Sequence, residues 1–372
     1  MEIWETVATR RSVLFVVHNG TTLDRLLDVF GVFEGDMRVQ IMVTSDLSDP
    51  FADGLPEQVG ALGLPSLPWS QATRTTFDLI VSASHHGALA ELSGPLVILA
   101  HGSGYGKYAP GGGRRSVFGL APQWLLRDGE PAARALGFAH ADEISRVARE
   151  VPQALPAAEL IGDPTYDRML AGLPERRECR AGFAAGDDRT VVAVSTTWGG
   201  RSLLGTHPRL LRELVAGLPA DRFRVLLIAH PNVWSWHGPY QLRLWLADSL
   251  REGLIVVPPL DRWRAAIVAA DCVIGDHGSV TVYGAALGRP TLLAAFPDRD
   301  VVEGSPAHAL GRLAGRIEDQ VPLAGQIDKA MENADPRRFA AVAGLVSSVP
   351  GEARARLSAV CYRLLDLAEP TC

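Results

Sequence analysis

Residues 270–293 hold the pattern that most constrains the fold, because an apolar run, a polar turn, a short helical segment and a second apolar run follow one another there. The polar turn is Gly-Asp-His-Gly-Ser at residues 275–279, and the helical segment ends at Gly-Arg-Pro. This order predicts two parallel strands joined by a helix. Such turns lie at the carboxyl edge of a sheet, where open α/β folds bind ligands. Because backbone N–H groups at the helix start, with the hydroxyls of Ser279 and Thr281, suit a phosphate, we expect a phosphorylated small molecule here.

The same alternation of apolar runs and polar turns continues along the whole chain. Candidate strands occupy residues 12–17, 39–44, 77–82 and 95–100, and then 190–195, 224–229, 254–257, 271–274 and 291–295. A charged, glycine-bearing stretch at 173–189 separates the two series, and we interpret it as a crossover. The pattern predicts an α/β fold with two doubly wound parallel-sheet domains that face each other across a cleft. We expect these domains at residues 1–172 and 173–350, with an amphipathic helix in 351–372 packing back on the fold.

Composition excludes several classes of protein. The net charge of −6, without a long basic run, excludes a nucleic-acid footprint. No apolar stretch approaches the roughly 20 residues that span a bilayer, and the first residues lack the pattern of a signal peptide, so we expect no transmembrane segment and a cytoplasmic location. The four cysteines are scattered, which argues against a zinc site or a disulfide framework, and we expect no metal.

In the first domain, histidines follow three of the candidate strands. His18 follows the first, His86 follows the third and His101 follows the fourth. Beyond His101, Gly102 and further glycines let the backbone approach a ligand closely, and Lys107 adds a cation. Histidine titrates near neutrality, so His101 is a candidate general base. The alternative is that the glycines form only a tight turn and that the histidines are structural.

The second domain has polar residues at three strand ends. Hydroxyls, glycines and Arg201 follow its first strand, His230 follows the next, and Asp276 follows the last but one. An arginine in such a loop suits a diphosphate through charge-assisted hydrogen bonds. The alternative is that these residues only cap the helices that follow. Helix caps, however, do not require a histidine, an arginine and an aspartate at successive strand ends. The group therefore favours a ligand site.

The order of these motifs resembles that in the CDP-glycerol glycerophosphotransferases of teichoic-acid synthesis. The similarity covers residues 95–295 and consists of His101-Gly102, Gly-Asp-Pro-Thr-Tyr-Asp-Arg at 162–168, Ser-Thr-Thr-Trp at 195–198, His230-Pro231 and the segment 271–279. The resemblance implies two Rossmann-like domains in the GT-B arrangement. It also implies that the first-domain histidine acts as base toward an acceptor hydroxyl, and that the second domain holds the donor diphosphate.

These considerations give one set of expected site residues. The catalytic candidates are His101 and Asp276. The expected donor- and phosphate-binding residues are Thr197, Arg201, His230, His277, Gly278, Ser279 and Thr281. The expected acceptor-side residues are His18, His86, Gly102 and Lys107.

The chain is also similar, more distantly, to the non-hydrolysing UDP-N-acetylglucosamine 2-epimerases, through the 276–279 turn and the later Gly-Arg-Pro at 288–290. We favour a transferase that moves a glycerophosphate-like or glycosyl group from a CDP- or UDP-linked donor to an acceptor hydroxyl. The alternatives are the 2-epimerase and a non-catalytic nucleotide-binding protein. Expected partners are the nucleotide donor, which is a substrate, and the hydroxyl acceptor. No separate cofactor is expected, and a homodimer is left open.

Overall fold

The computed structural model describes residues 6–109, 116–260 and 262–370. Within these residues the chain forms two compact units. The first lies within Met1–Gly102, Gly119–Thr165 and Val349–Cys372, and the second lies within Ser103–Phe118 and Tyr166–Ser348. The chain therefore passes between the units more than once.

The first unit is built on a parallel sheet. Its strands are β1 (Arg11–Val16), β2 (Val39–Ser45), β3 (Ser66–Pro68), β4 (Leu79–Ser82) and β5 (Leu96–Leu99), a separate antiparallel pair β6 (Leu126–Arg127) and β7 (Glu130–Pro131), then β8 (Ala135–Phe138) and β9 (Ala158–Leu160). The sheet order is β3-β2-β1-β4-β5-β8-β9. The helices are α1 (Gly20–Phe30), α2 (Leu55–Ala61), α3 (Trp69–Ala72), α4 (Pro122–Leu125) and α5 (Ala141–Glu150). The order reverses direction between β1 and β4, which makes the carboxyl end of that pair a topological switch point.

The second unit is a parallel sheet with helices on both faces. Its strands are β10 (Thr190–Thr196), β11 (Phe223–Ala229), β12 (Ile255–Val256), β13 (Cys272–Gly275), β14 (Thr291–Leu293) and β15 (Gly315–Arg316), in the order β12-β11-β10-β13-β14-β15. Its helices are α6 (Pro164–Ala171), which begins at the end of the first unit, α7 (Arg176–Ala181), α8 (Leu203–Thr206), α9 (Leu210–Gly217), α10 (Pro231–His237), α11 (Pro239–Trp245), α12 (Ala247–Arg251), α13 (Arg262–Ala269), α14 (Ser279–Ala286), α15 (Pro306–Leu313), α16 (Leu323–Glu332) and α17 (Ala340–Val346). Here the switch point lies between β10 and β13.

Strand β10 shows how the second sheet is buried on both faces. Val191 and Ala193 enter one apolar core, and Val192 and Val194 enter another on the opposite side. Successive side chains of a strand point to opposite faces, so an unbroken apolar run is required in a sheet covered by helices on both sides. The predicted pair of doubly wound parallel sheets is confirmed.

The last helix, α18 (Ala353–Leu365), belongs to the first unit. The hydroxyl of Tyr362 donates to Asp36 Oδ2 at 2.8 Å, and its ring lies 5.9 Å from that of Phe33. The predicted closing helix is therefore present.

The division between the units differs from the simple boundary expected at residues 172 and 173. Tyr166 and Met169 of α6 already belong to a core of the second unit, and Tyr166 donates to the carbonyl oxygen of Ala286 at 3.2 Å. Residues 103–118, which follow β5 of the first unit, also belong to the second unit. The acceptor and donor roles assigned to the two domains remain predictions.

Candidate functional site

Asp276 joins two loops at the switch point of the second unit. Its Oδ2 accepts hydrogen bonds from the backbone N–H of Thr197 at 2.7 Å, from the Thr197 hydroxyl at 2.7 Å and from the N–H of Leu203 at 3.0 Å. Its Oδ1 accepts from Gly278 N–H at 3.0 Å. The side chain is fully buried, and burial raises its pKa against the opposing effect of these hydrogen bonds. Four protein donors thus surround the carboxylate, which fixes the loops after β10 and β13 to each other.

Two glycines allow this close approach. A Cβ at Gly278 would lie 2.6 Å from Thr197 Cγ2, which is closer than packed carbon atoms permit. A Cβ at Gly275 would collide with the side chain of Thr281. Thr281 is itself fully buried beneath the turn, and its hydroxyl has no hydrogen-bond partner among the described residues. The structure therefore places Thr281 under the turn and not on its solvent side, where a phosphate-binding hydroxyl was expected.

Ser279 begins α14, and Gly278 at its N-cap supplies no side-chain cap. The Ser279 hydroxyl accepts a hydrogen bond from Ser103 N–H at 3.1 Å. Ser103 belongs to the segment 103–118, which packs in the second unit. Backbone donors at a helix start that lacks a side-chain cap favour an anionic group. The phosphate-binding role expected of this turn remains a prediction.

The segment 103–118 carries Lys107 into the second unit. Lys107 forms an isolated antiparallel bridge with Val301, and backbone hydrogen bonds join Tyr108 N–H to Asp300 O at 2.9 Å and Val302 N–H to Gly106 O at 3.0 Å. Lys107, expected on the acceptor side, therefore lies with the predicted donor-side residues. Pairing with residues 300–302 thus holds Gly106, Lys107 and Tyr108 in the second unit.

Lys107 and Arg201 place two cations at this edge. Desolvation lowers the pKa of Lys107, and attraction to Asp276 and Asp300 opposes this effect without overcoming it. The residue is nevertheless exposed and remains in contact with water. Arg201 pairs with Asp300 at 2.5 Å and is 71% exposed.

His277 lies beside these cations. Burial, followed by repulsion from Lys107 and Arg201, lowers the pKa of His277 to about 3. The imidazole is therefore neutral at physiological pH. Its Nδ1 is buried and has no hydrogen-bond partner among the described residues.

His230 caps α10 with its side chain. The Nδ1 atom accepts a hydrogen bond from Asn232 N–H at 3.1 Å. An imidazole nitrogen that accepts a hydrogen bond carries no proton, so the neutral ring holds its proton on Nε2. Because β11, β10 and β13 are neighbours, their carboxyl ends bring His230, Thr197 and Asp276 to one edge of the second sheet.

His101 has the opposite tautomer. Its Nδ1 lies 3.2 Å from the carbonyl oxygen of Ala83. A carbonyl oxygen only accepts, so Nδ1 carries the proton and the lone pair of the neutral ring is on Nε2. His101 is exposed at the end of β5. A neutral imidazole with its lone pair on an exposed side chain has the chemistry of a general base.

Arg25 fixes the backbone beside His101. Its Nη2 donates to the carbonyl oxygen of Gly102 at 2.5 Å, and its Nη1 donates to Asp163 Oδ1 at 2.9 Å and to Thr165 Oγ1 at 2.7 Å. Arg25 is 3% exposed and Asp163 is fully buried. Arg25 was not among the site residues predicted from the sequence. An arginine between Leu23 and Leu26, in a helix with a buried face, was the signal that could have identified it.

His18 and His86 lie at the switch point of the first unit. The Nε2 of His18 donates to the carbonyl oxygen of His86 at 2.7 Å, and burial lowers the pKa of His18. Its Nδ1 is buried and has no hydrogen-bond partner in the described part of the chain. The structure thus joins these two predicted acceptor-side residues, and His18 is held as a neutral ring. Their acceptor role remains a prediction.

The described residues contain no group of three or more histidine, cysteine, aspartate or glutamate side chains that could hold a metal ion. They also contain no helix with the length and apolar character needed to cross a bilayer.

Comparisons with known proteins give partial sequence relatives and a clear structural likeness. No model of a protein family matches the chain. The UDP-N-acetylglucosamine–N-acetylmuramyl-(pentapeptide) pyrophosphoryl-undecaprenol N-acetylglucosamine transferase of Mycobacterium ulcerans (strain Agy99) is 31% identical over 173 residues, which are 44% of this chain and 40% of that protein. The corresponding transferase of Mycolicibacterium paratuberculosis (strain ATCC BAA-968 / K-10) is 32% identical over 157 residues, 41% of this chain and 36% of that protein. These matches span about two fifths of each relative.

Among solved structures, the wall teichoic acid polymerase TagF is similar to this chain with a TM-score of 0.65 and 15% sequence identity. The match covers 96% of this chain and 90% of that one. At this identity the likeness concerns the fold. Together with the two doubly wound sheets, it confirms the fold class expected from the sequence: the chain has the GT-B fold.

Proposed function

We propose that this protein is a nucleotide-donor-dependent transferase that moves a glycosyl or glycerophosphate-like group from a CDP- or UDP-linked donor to an acceptor hydroxyl. The observation that carries the proposal is the pair of opposite histidine tautomers. The protein backbone holds the proton of His101 on Nδ1 and that of His230 on Nε2. One ring is thus prepared to accept a proton and the other to donate a hydrogen bond.

His230 would bind the donor diphosphate. Its Nε2–H is a hydrogen-bond donor suited to a phosphate oxygen, and it lies at the same sheet edge as Thr197 and the start of α14. Lys107 and Arg201 supply positive charge, and His277 adds no charge because its pKa is low. These groups would stabilise the nucleotide leaving group as negative charge develops on it.

His101 would act as the base. In the transfer step the acceptor oxygen forms a bond to the donor's reacting atom as its proton moves to His101 Nε2, and the bond to the nucleoside diphosphate or monophosphate breaks. The reacting atom is phosphorus in an NDP-alcohol, which releases a nucleoside monophosphate, and the anomeric carbon in an NDP-sugar, which releases a nucleoside diphosphate. A cytoplasmic location is part of this proposal.

For Asp276 we propose a positioning role in place of the catalytic role expected from the sequence. Because both carboxylate oxygens accept hydrogen bonds from backbone or hydroxyl donors, we assign it as a positioning residue for the Thr197 and Gly278 loops. Its effect on transfer would act through the placement of these loops.

The partial relatives support the class of reaction, since their names describe transfer of N-acetylglucosamine from a UDP-linked donor. The resemblance of the motifs to the CDP-glycerol enzymes supports a CDP-linked donor.

The decisive test is a thermal-shift panel with CDP, UDP, GDP, TDP and ADP, followed by measurement of nucleotide release from the matching activated donors with hydroxyl acceptors. We expect stabilisation by CDP or UDP, and release that depends on an acceptor. Conversion of UDP-N-acetylglucosamine by the protein without an acceptor would instead identify an epimerase. Nucleotide binding without turnover in the full panel would contradict the transferase assignment.

A further inference from the structure

Two histidines bind the same loop of the first unit. The loop, residues 83–88, follows β4. His101 Nδ1 donates a hydrogen bond to the carbonyl oxygen of Ala83 at 3.2 Å, and His18 Nε2 donates one to that of His86 at 2.7 Å. A group bound beside His18 would therefore share this loop with the proposed base.

Two aspartates accompany His18 at the carboxyl end of the first sheet. A Cβ at Gly87 would lie 2.5 Å from Asp46 Oδ2 and 3.0 Å from His18 Nε2, so both side chains lie against this glycine. Asp49 Oδ2 accepts a hydrogen bond at 2.9 Å from the Nδ2 of Asn19, the residue after His18. Both carboxylates are partly exposed. We call His18, Asp46 and Asp49 the acidic edge.

His18 has one hydrogen-bond acceptor that the protein does not use. The side chain is 1% exposed, and with its proton on Nε2 the Nδ1 atom carries a lone pair. Nδ1 has no hydrogen-bond partner among the residues that the structure describes. Burial lowers the pKa of His18 against the attraction of Asp46 and Asp49, so the ring adds no positive charge. A buried acceptor without a partner costs about 1–3 kcal/mol, which favours a bound hydrogen-bond donor.

The turns at the carboxyl end of the first sheet contain acidic residues and no basic ones. Each turn is taken from the end of β1, β2 or β4 to the next helical segment, or from the end of β5 to the end of that part of the unit: residues 17–19, 46–54, 83–88 and 100–102. They contain Asp46, Asp49 and Asp53 and neither lysine nor arginine. Arg25, in the following helix α1, is ion-paired with the buried Asp163. These turns therefore present negative charge.

We propose that the acidic edge binds an ammonium group of the acceptor, and that the acceptor is therefore an amino alcohol or an amino sugar and not a phosphorylated compound. Carboxylate oxygens and an imidazole lone pair only accept hydrogen bonds, whereas an ammonium group offers three donors and a positive charge. A phosphate group would be repelled by the two carboxylates. The inference rests on the proposed function, because it names the class of substrate that His101 deprotonates.

The amine and the hydroxyl of this acceptor have separate roles. The ammonium group keeps its protons when it pairs with Asp46 and Asp49, so its nitrogen has no lone pair and does not attack the donor. The hydroxyl oxygen forms the new bond, and its proton passes to His101 Nε2 as the bond to the nucleotide breaks. The acidic edge would thus select the acceptor and prevent transfer to nitrogen.

The test begins with calorimetric binding to the full chain in the absence of a donor. Two sets of probes differ mainly in charge: serinol, glycerol and glycerol-3-phosphate, and glucosamine, glucose and glucose-6-phosphate. We expect the amine of at least one set to bind about tenfold more tightly than its neutral counterpart, and the phosphate to give no gain. In nitrogen spectra of protein with ¹⁵N-labelled histidine, the Nδ1 signal of His18 should shift when that amine is added.

Asp46→Asn removes one negative charge and keeps a side-chain oxygen for the N–H of Ala88. It should weaken binding of the amine by about tenfold and leave binding of the neutral probe unchanged. The matched control is Glu34→Gln, which removes the same charge from a 73% exposed side chain before β2, at the opposite end of that strand from Asp46. The control should bind the amine like the unmodified chain. Circular dichroism and the melting temperature verify that each variant is folded.

Equal binding of amine and neutral probes in both sets, or tighter binding of a phosphate, would overturn the ammonium site. A thermal shift by calcium or magnesium ions that Asp46→Asn abolishes, without amine binding, would assign the acidic edge to a metal ion and would equally overturn it. If the amine binds but no activated donor is turned over with it, the ammonium site stands and the transferase proposal fails. If nucleotide release requires a neutral or phosphorylated acceptor, the transferase proposal stands and the ammonium site fails.

Discussion

Arg25 donates a 2.5 Å hydrogen bond to the carbonyl oxygen of Gly102, the residue that follows His101. The same guanidinium is ion-paired with the fully buried Asp163. A buried helix side chain therefore fixes the backbone next to the proposed base. Substitution can separate this positioning role of Arg25 from its role in the buried ion pair with Asp163.

Arg25→Met should lower the free energy of unfolding by about 3–5 kcal/mol, because it leaves the Asp163 carboxylate buried without its partner. Arg25→Lys keeps the charge but cannot reproduce the forked contacts, so we expect partial recovery of stability and a kcat reduced by about tenfold. Denaturant unfolding and steady-state transfer assays measure the two effects. If Arg25→Lys keeps full kcat with an unchanged pH profile, Arg25 supports only the fold.

His101→Ala should reduce transfer by about 10²–10⁴-fold, the usual contribution of a general base, with nucleotide affinity nearly unchanged. Single-turnover transfer and nucleotide titration measure these quantities. His140→Asn is the control, since asparagine keeps a side-chain acceptor at the N-cap of α5. A large loss of nucleotide affinity in His101→Ala would be incompatible with its role as base.

The opposite tautomers can be observed directly. Long-range ¹H–¹⁵N correlation spectra near pH 8 should show the proton of His101 on Nδ1 and that of His230 on Nε2. The same tautomer in both rings would remove the main support for the transferase proposal.

His230→Ala should weaken nucleotide binding by roughly ten- to hundredfold, the effect of losing one hydrogen bond to a charged group.

Asp276→Asn distinguishes positioning from catalysis. An asparagine amide has one acceptor oxygen, whereas the donors around Asp276 are bound by two carboxylate oxygens. Some buried N–H groups therefore lose their acceptor, and each loss lowers the free energy of unfolding by about 1–3 kcal/mol. We expect a clear fall in melting temperature together with lower activity at every pH. Unchanged thermal stability combined with loss of one limb of the pH–rate profile would show that Asp276 transfers a proton.

The free energy of unfolding should fall as the pH decreases from 7 toward 4. His18 and His277 have pKa values lowered by burial, that of His277 to about 3, whereas both titrate near 6.5 when unfolded. Below about pH 6.5 the unfolded chain binds protons that the folded chain does not, so stability is present above that pH and is lost as the pH falls. His18→Gln should reduce the slope of melting temperature against pH over this interval. An unchanged slope would mean that His18 titrates with the same pKa in the folded and the unfolded chain.

The sequence predicted the central strands well because they are long apolar runs. The predicted strand at residues 224–229 is β11 at Phe223–Ala229, and that at 39–44 is β2 at Val39–Ser45. Edge strands such as β3 and β15 were missed, since Ser66–Pro68 and Gly315–Arg316 have too few apolar residues to show a pattern. Both strands are short and largely exposed, so they leave no periodic apolar signal in the sequence.

The sequence predicted which residue types belong to the candidate site, but it did not predict which of these residues contact one another. His101, His230 and Asp276 were identified because each follows a strand, and strand ends of a parallel sheet meet at one edge. Asp276 Oδ2 accepts hydrogen bonds from Thr197 and Leu203, which lie more than 70 positions away along the chain. The inward direction of Thr281 depends on Gly275. Neither the partners of a buried carboxylate nor the direction of a helix side chain follows from local sequence.

The path of residues 103–118 determines how this protein can be divided. A fragment covering only 166–348 would lack the backbone partners of Asp300 and Val302 and would lack Lys107. A fragment covering 1–165 would lack α18, whose Tyr362 hydrogen-bonds to Asp36. No single cut in the chain therefore yields two complete units, and gene fusions or domain exchanges with other GT-B proteins must transfer the 103–118 segment together with the second unit.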